Sequence, residues 1–337
     1  HPEIKEAAER VIVVLRGIAA TSSGEIAKEL AASDEVISPF VLGCKSSNHK
    51  LAAMSVQCLQ QLISHRAVSP RSIAQTLSTL NTVIHLGVDI QVKILQMVLP
   101  LVTMYDGCVF GETLVDAFHL CLALQKSRDP VVSNTAAAIL RQVVVAVFDR
   151  VVAEDQEHSD DDDEGADTRE RDLTRKYAKD AFFVLQDLCL LAADSDSIFI
   201  RVDAVDKGLV LDLIESVLVN HAAVVARHTA MVHILRERLA PFIVGFFAEK
   251  APFTLVVRCI RIVWLFIRDL HTDLVPECEM LLSILTRLID SSSNSNSSSG
   301  GKSGRSSVSL PRIAGMQSAK TVLGSGFPLF YRVLAME

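Results

Sequence analysis

The stretch NTAAAILRQVVVAVFDRVVAED, Asn134 to Asp155, limits the fold more than any other part of the chain. A membrane-crossing helix needs about 20 consecutive apolar residues. Here Arg141 and Gln142 interrupt the run, and Asp149 and Arg150 interrupt it again two helical turns later. The four form one narrow polar stripe on a helix that is otherwise apolar all round. A helix of that kind is packed on most sides by other helices. The pattern excludes a membrane span and leaves a buried enzyme core or one layer of a repetitive helical stack.

The flanking sequence repeats the pattern. Pro2 with Glu3 and Glu6 marks a helix start, because proline suits the first turn and acids suit the positive end of the helix dipole. That helix runs to about Ala20. HKLAAMSVQCLQQLISH carries apolar residues at helical period, at Leu51, Met54, Val56, Leu59, Leu62 and Ile63. Further helices are expected over 71–86, 89–105, 110–126, 131–153, 173–193, 203–219, 222–236, 237–249, 253–271 and 273–289, with a last one starting near 316. No stretch alternates as a strand does. Half of the chain is hydrophobic but only 5% is aromatic, and 15 glycines and 10 prolines are few for a protein with many tight turns. Helix pairs recur every 35–45 residues, the rhythm of HEAT and armadillo repeats. A pair of this kind buries its apolar face only by stacking on its neighbours. The expected fold is all-α, an armadillo/HEAT-like α–α superhelical solenoid.

Two stretches break the rhythm. Residues 153–172, AEDQEHSDDDDEGADTRERD, are acidic and nearly free of large apolar side chains, so they read as a mobile loop. The Ser- and Asn-rich tract at about 290–309 reads as disordered. We therefore expect a first helical domain over 1–193, containing the acidic loop, and a second region over 194–337, containing the Ser-rich one.

Chemistry is sparse. The net charge of −7 argues against whole-molecule attraction to nucleic acid or anionic lipid, although a local basic patch could still bind either. None of the seven cysteines forms a CxxC pair, and most sit in apolar helical runs, so they read as reduced, buried thiols. His221, His228 and His233 do not have zinc-ligand spacing, and the four aspartates at 160–163 lack the glycine and terminal glutamate of a calcium loop. No phosphate-binding or nucleophile-elbow motif is present. No catalytic residue, cofactor or metal is expected. One basic stripe stands out in RCIRIVWLFIRDL, where Arg258, Arg261 and Arg268 fall within about 80° on a helix beside Trp264, the single tryptophan. Arginines next to a tryptophan suit phosphate headgroups at a membrane surface, although long basic side chains also simply cover apolar surface. Lys45, Lys50, His65 and Arg66 form a second basic set around the second helix pair.

Specific stretches resemble a known family. NHKLAAMSVQCLQQLISHRAVS is similar to the signature helix of the dimerisation and cyclophilin-binding (DCB) domain of large Sec7-type Arf exchange factors. SNTAAAILRQVVVAVFDRVVAED resembles the Mon-two branch, large Golgi and endosomal proteins without the catalytic Sec7 domain. LDLIESVLVNH, LRERLAPFIVGFF and ECEMLLSILTRLID resemble that branch's homology-upstream-of-Sec7 (HUS) region, in the same order. The resemblance implies a piece of a longer protein, with the family's first helix upstream of His1 and the HUS region cut short at Glu337. It implies a non-catalytic scaffold, peripheral on trans-Golgi and endosome membranes from the cytoplasmic side. Its expected partners are a second copy bound through the DCB-like half, an Arf-like small GTPase, a Dopey-type protein and a lipid flippase. The rival readings are the amino-terminal regulatory region of a catalytic Sec7-type exchange factor and an importin-like adaptor. A single tryptophan argues against the adaptor, which needs ordered Trp rows.

Overall fold

The computed structural model describes residues 2–21, 26–157, 175–248 and 252–297. Among them there are helices and no strand, and the fold is all-α and armadillo/HEAT-like. The helices are α1 (Pro2–Thr21), α2 (Ile26–Ala31), α3 (Ser38–Cys44), α4 (His49–Ser64), α5 (Ile73–Thr82), α6 (Val88–Met104), α7 (Glu112–Gln125) and α8 (Pro130–Glu157). Then follow α9 (Lys176–Ala192), α10 (Lys207–Arg227), α11 (Thr229–Ile234), α12 (Ala240–Ala248), α13 (Phe253–Asp269) and α14 (Val275–Ser297).

Local chemistry sets several starts. The Asn48 side chain accepts the Lys50 and Leu51 amides at 3.0 and 3.3 Å and opens α4. Asp129 accepts those of Val131 and Val132, with Pro130 in the first turn of α8. Asp206 does the same for Leu209 in α10. Each such cap satisfies amides that have no partner inside the helix. At the other end of α4, Arg66 takes φ 55° and the Ala67 amide returns to the Leu62 carbonyl at 2.8 Å. That is a left-handed helix stop in a place where glycine is usual.

The chain divides into two compact units. The first takes its described residues from 1–160, 175–181 and 198–202. Within it α3, α5 and α7 stack in one layer and α4, α6 and α8 in the other, with α1 packed on α3. The core lies between the layers, at fully buried residues such as Leu59, Leu95, Phe118, Val144 and Phe148. The second unit takes the remaining described residues. In it α10 packs on α13, while α12 meets α13 and α14. Helix α9 is divided, Lys176–Ala181 falling in the first unit and the rest in the second.

Four expectations need correction. Helix α8 continues to Glu157, so residues 153–157 are helical rather than the start of a mobile loop, while 158–172 lie outside the described residues. Of the polar stripe on α8, Gln142 and Asp149 are exposed but Arg150 is buried, so the stripe does not run along one exposed face. The two helices expected over 203–219 and 222–236 are one helix to Arg227, kinked at His221, and the break falls at His228. Helix α14 runs to Ser297, into the tract expected to be disordered from about 290; the rest of that tract and the helix expected near 316 lie outside the described residues.

Between α11 and α12, Leu235–Leu239 form a π turn, closed by the Ala240 amide on the Leu235 carbonyl. Pro241 explains it. A proline has no amide to donate to residue 237 and its ring crowds that carbonyl, so the preceding turn widens.

By length and composition alone, α8 and α10 could cross a membrane. Such helices are also found in protein cores. In α8 the packing is of that kind, since Val143, Val144, Val147 and Phe148 are buried in its unit.

Candidate functional site

The arginine stripe lies on α13, and α10 answers it. Asp212 and Glu215 stand three residues apart on α10, as Arg258 and Arg261 do on α13, so the helices meet as a two-rung ladder. Arg258 Nη1 lies 2.6 Å from Asp212 Oδ1, and Arg261 Nη1 lies 3.5 Å from Glu215 Oε1. Arg268 donates to both oxygens of Asp269, from Nε at 2.6 Å and Nη2 at 2.5 Å, and its guanidinium sits 4.3 Å from the Trp264 ring centroid. Side-chain exposure separates the three: 31% for Arg258, 37% for Arg268 and 56% for Arg261. Arg258 is thus largely spent on α10, whereas Arg261 keeps most of its surface in solvent.

The second basic set does not gather into one patch. Lys45 closes α3 and Lys50 opens α4, whereas His65 and Arg66 follow the other end of α4. All four are exposed. At 1.5 Å per residue the helix between them spans about 24 Å.

A polar node in the first unit had no signal in the sequence. Arg150 Nη1 donates to the Val109 carbonyl at 2.6 Å, its Nη2 donates to the Val102 carbonyl, and the guanidinium lies 5.5 Å from the Tyr177 ring centroid. One turn on, the Glu154 carboxylate accepts the amides of Tyr177 at 3.1 Å and Ala178 at 2.9 Å. Asp155 pairs with Arg175 at 3.2 Å. Asp180 accepts the Gly111 amide at 3.0 Å, and burial pushes its carboxyl above the ordinary aspartate range, against the pull of Gly111, Arg150, Lys176 and Lys179. The node's bonds fix α9 onto α8 and secure the loop before α7.

Little else among the described residues suggests chemistry. No group of three or more His, Cys, Asp or Glu is placed to hold a metal. His221 and His228 are buried and His233 is exposed. All seven cysteines are free thiols, five of them buried. Burial pushes Cys44 and Cys278 up to about 11 and Cys121, Cys189 and Cys259 up to about 12. A thiol so reluctant to ionise is a poor nucleophile.

Comparison with known proteins matches two domain models in order along the chain. The Mon2/Sec7/BIG1-like dimerisation and cyclophilin-binding domain model matches residues 1–155, and the Mon2/Sec7/BIG1-like HUS domain model matches residues 177–303. The chain is 32% identical over 314 residues to Protein MON2 homolog of Xenopus laevis and, equally, of Homo sapiens. Both alignments cover 86% of this chain and 18% of the relative. Protein MON2 of Saccharomyces cerevisiae is 25% identical over 301 residues, with the same coverage. The chain therefore spans 18% of the length of these relatives. Matched in order by the DCB and HUS models, and aligned over most of its length with MON2 proteins from frog to yeast, the chain belongs to the Mon2/Sec7/BIG1-like family, in its Mon2 branch.

Proposed function

We propose that this chain is the amino-terminal part of a non-catalytic scaffold for vesicle traffic at the Golgi and endosomes. It works by presenting helical surfaces rather than by making or breaking bonds. The observation that carries this reading is the succession of a DCB and a HUS region in one helical chain whose relatives are MON2 proteins. The DCB region, named for dimerisation, supports self-association through the first half. An Arf-like small GTPase, a Dopey-type protein and a lipid flippase are the further partners we propose, with residence on the cytoplasmic side of trans-Golgi and endosome membranes. The family's shared description with Sec7 and BIG1 supports one rival, the regulatory region of a catalytic Arf exchange factor. The MON2 relatives favour the scaffold.

For the membrane contact we propose the arginine face of α13, with Arg261 and Arg268 reaching headgroups and Arg258 holding the helix to α10. Lys45, Lys50 and Arg66 would add two smaller basic points. The test is flotation of the chain on liposomes containing phosphatidylinositol 4-phosphate, with and without a lipidated, GTP-loaded Arf-like GTPase. Flotation that needs the GTPase supports recruitment by protein. Flotation on acidic lipid alone, lost in R261A/R268A, supports the arginine face. A chain that floats in neither condition sinks the peripheral-membrane reading.

A further inference from the structure

The three arginines of α13 do not meet their carboxylates in the same way. Arg258 and Arg261 each reach α10 through one nitrogen, at 2.6 and 3.5 Å, and so tie two helices together. Arg268 instead offers two donors side by side, Nε and Nη2, to both oxygens of Asp269 at 2.6 and 2.5 Å. Arg268 and Asp269 are consecutive residues of one helix, so their pair joins no two elements. It is within reach of solvent, with side chains 37% and 23% exposed. At 100° per residue Arg268 lies half a turn around α13 from the buried Cys259, nine positions earlier, so the pair stands on the outward side of the helix. Trp264, one turn back, lies 4.3 Å from the guanidinium and supports it from one face. A planar fork with two parallel donors is also what an arginine presents to a phosphate.

We propose that Asp269 is a resident counter-ion of the headgroup site: its carboxylate occupies the edge of the Arg268 fork that a phosphate would take, and sets the charge a ligand must bring to displace it. The inference rests on the reading of this face as a membrane contact and adds the residue that makes the contact selective. With Asp269 in place the fork carries no net charge. A phosphodiester headgroup such as that of phosphatidylglycerol has one negative charge, the same as the carboxylate it must replace, and gains little by the exchange. A phosphomonoester carries about −1.5 to −2 charges at neutral pH and three acceptor oxygens, so it displaces the carboxylate. The ligand class that fits is therefore a lipid with a monoester phosphate, and Asp269 keeps the fork from ordinary acidic lipid.

Flotation of the 337-residue chain on two sets of phosphatidylcholine vesicles of matched surface charge tests this, with circular dichroism to verify folding. One set contains phosphatidylinositol 4-phosphate, whose 4-phosphate is a monoester, and the other phosphatidylglycerol. Wild type is expected to float several-fold better on the first. D269N keeps the size of the side chain and removes its charge, so it should bind the phosphatidylglycerol vesicles several-fold better than wild type and lose most of the preference. The gain should vanish in R268A/D269N. E279Q makes the same change of net charge on α14 and should leave the preference intact. Excess inorganic phosphate should not strip wild type from the vesicles; if it does, the ligand is a soluble phosphate and the lipid assignment falls. A D269N chain that binds phosphatidylglycerol no better than wild type, a gain that survives in R268A/D269N, or the same gain in E279Q overturns the counter-ion role and leaves the membrane contact standing. Wild type and D269N both failing to float on either set overturns the membrane reading of the arginine face as well.

Discussion

Arg150 and Glu154 stand one turn apart on α8, and between them they anchor three segments. Buried guanidinium donors hold the Val102 and Val109 carbonyls, and a buried carboxylate caps α9. Removing a partner from such a pair leaves the other group buried and unsatisfied, which costs more than the bond itself contributes. R150M is therefore expected to lower unfolding stability by about 2–3 kcal/mol, and E154A by about 1–2 kcal/mol, in urea titrations. Arg258→Ala is expected to cost only about 0.5 kcal/mol, since the Arg258–Asp212 pair is partly exposed and screened. Asp180 works the other way. Its folded carboxyl titrates above the unfolded one, so the native state holds its proton longer, and this group's contribution falls as pH rises through that raised value. D180N keeps an acceptor for the Gly111 amide and removes the charge. It should be more stable than wild type at pH 7, with the advantage shrinking as the pH falls into the ordinary aspartate range; an equal advantage at all pH values would contradict the burial effect. The sequence could not disclose these roles. Glu154 lies in a run of acids that local composition marks as loop, and the amides it accepts come 23 and 24 residues later.

Helix starts were more legible than side-chain partners where a cap stands beside them, because caps are local. Asn48 and Asp129 with Pro130 precede α4 and α8, whereas α10, expected from 203, starts at Lys207 after the Asp206 cap. The break between α10 and α11 was misplaced because a kink at a buried His221 has no local marker, unlike a proline or glycine. Pro241 is a marker that was passed over. With P241A the amide of residue 241 can reach the Glu237 carbonyl, so the π turn should close into α-helix. Hydrogen exchange of that new amide should show protection, and the neighbouring Arg236, now 3.2 Å from Glu277 on α14, should lose that pairing as the register shifts. Arg66 offers a complementary test at the end of α4. It holds a left-handed conformation that costs a non-glycine residue roughly 1 kcal/mol, so R66G should raise the thermal midpoint. If Arg66 also touches membrane, the same variant should float less well while melting higher.

At the scale of the whole chain, the apolar period and the absence of strand alternation made the fold class readable, since stacking is the only way such helices bury their faces. The functional surfaces were not readable, because a solenoid's surface is assembled from residues far apart in sequence. The ladder between Asp212 and Arg258 spans 46 residues, and only the arginine side had drawn notice. The same architecture governs unfolding. In a stack, each layer is stabilised chiefly by its immediate neighbours, so a local lesion weakens its surroundings more than distant layers. Trp264 lies in the second unit and is the sole tryptophan, so its fluorescence reports that unit, whereas far-UV circular dichroism reports both. In the E154A variant the lesion sits in the first unit. The circular dichroism transition should then shift to lower urea than the Trp264 transition, and the two probes should cease to coincide. Coincident curves displaced by the same amount would mean that α9, divided between the units, makes the chain unfold as one cooperative body.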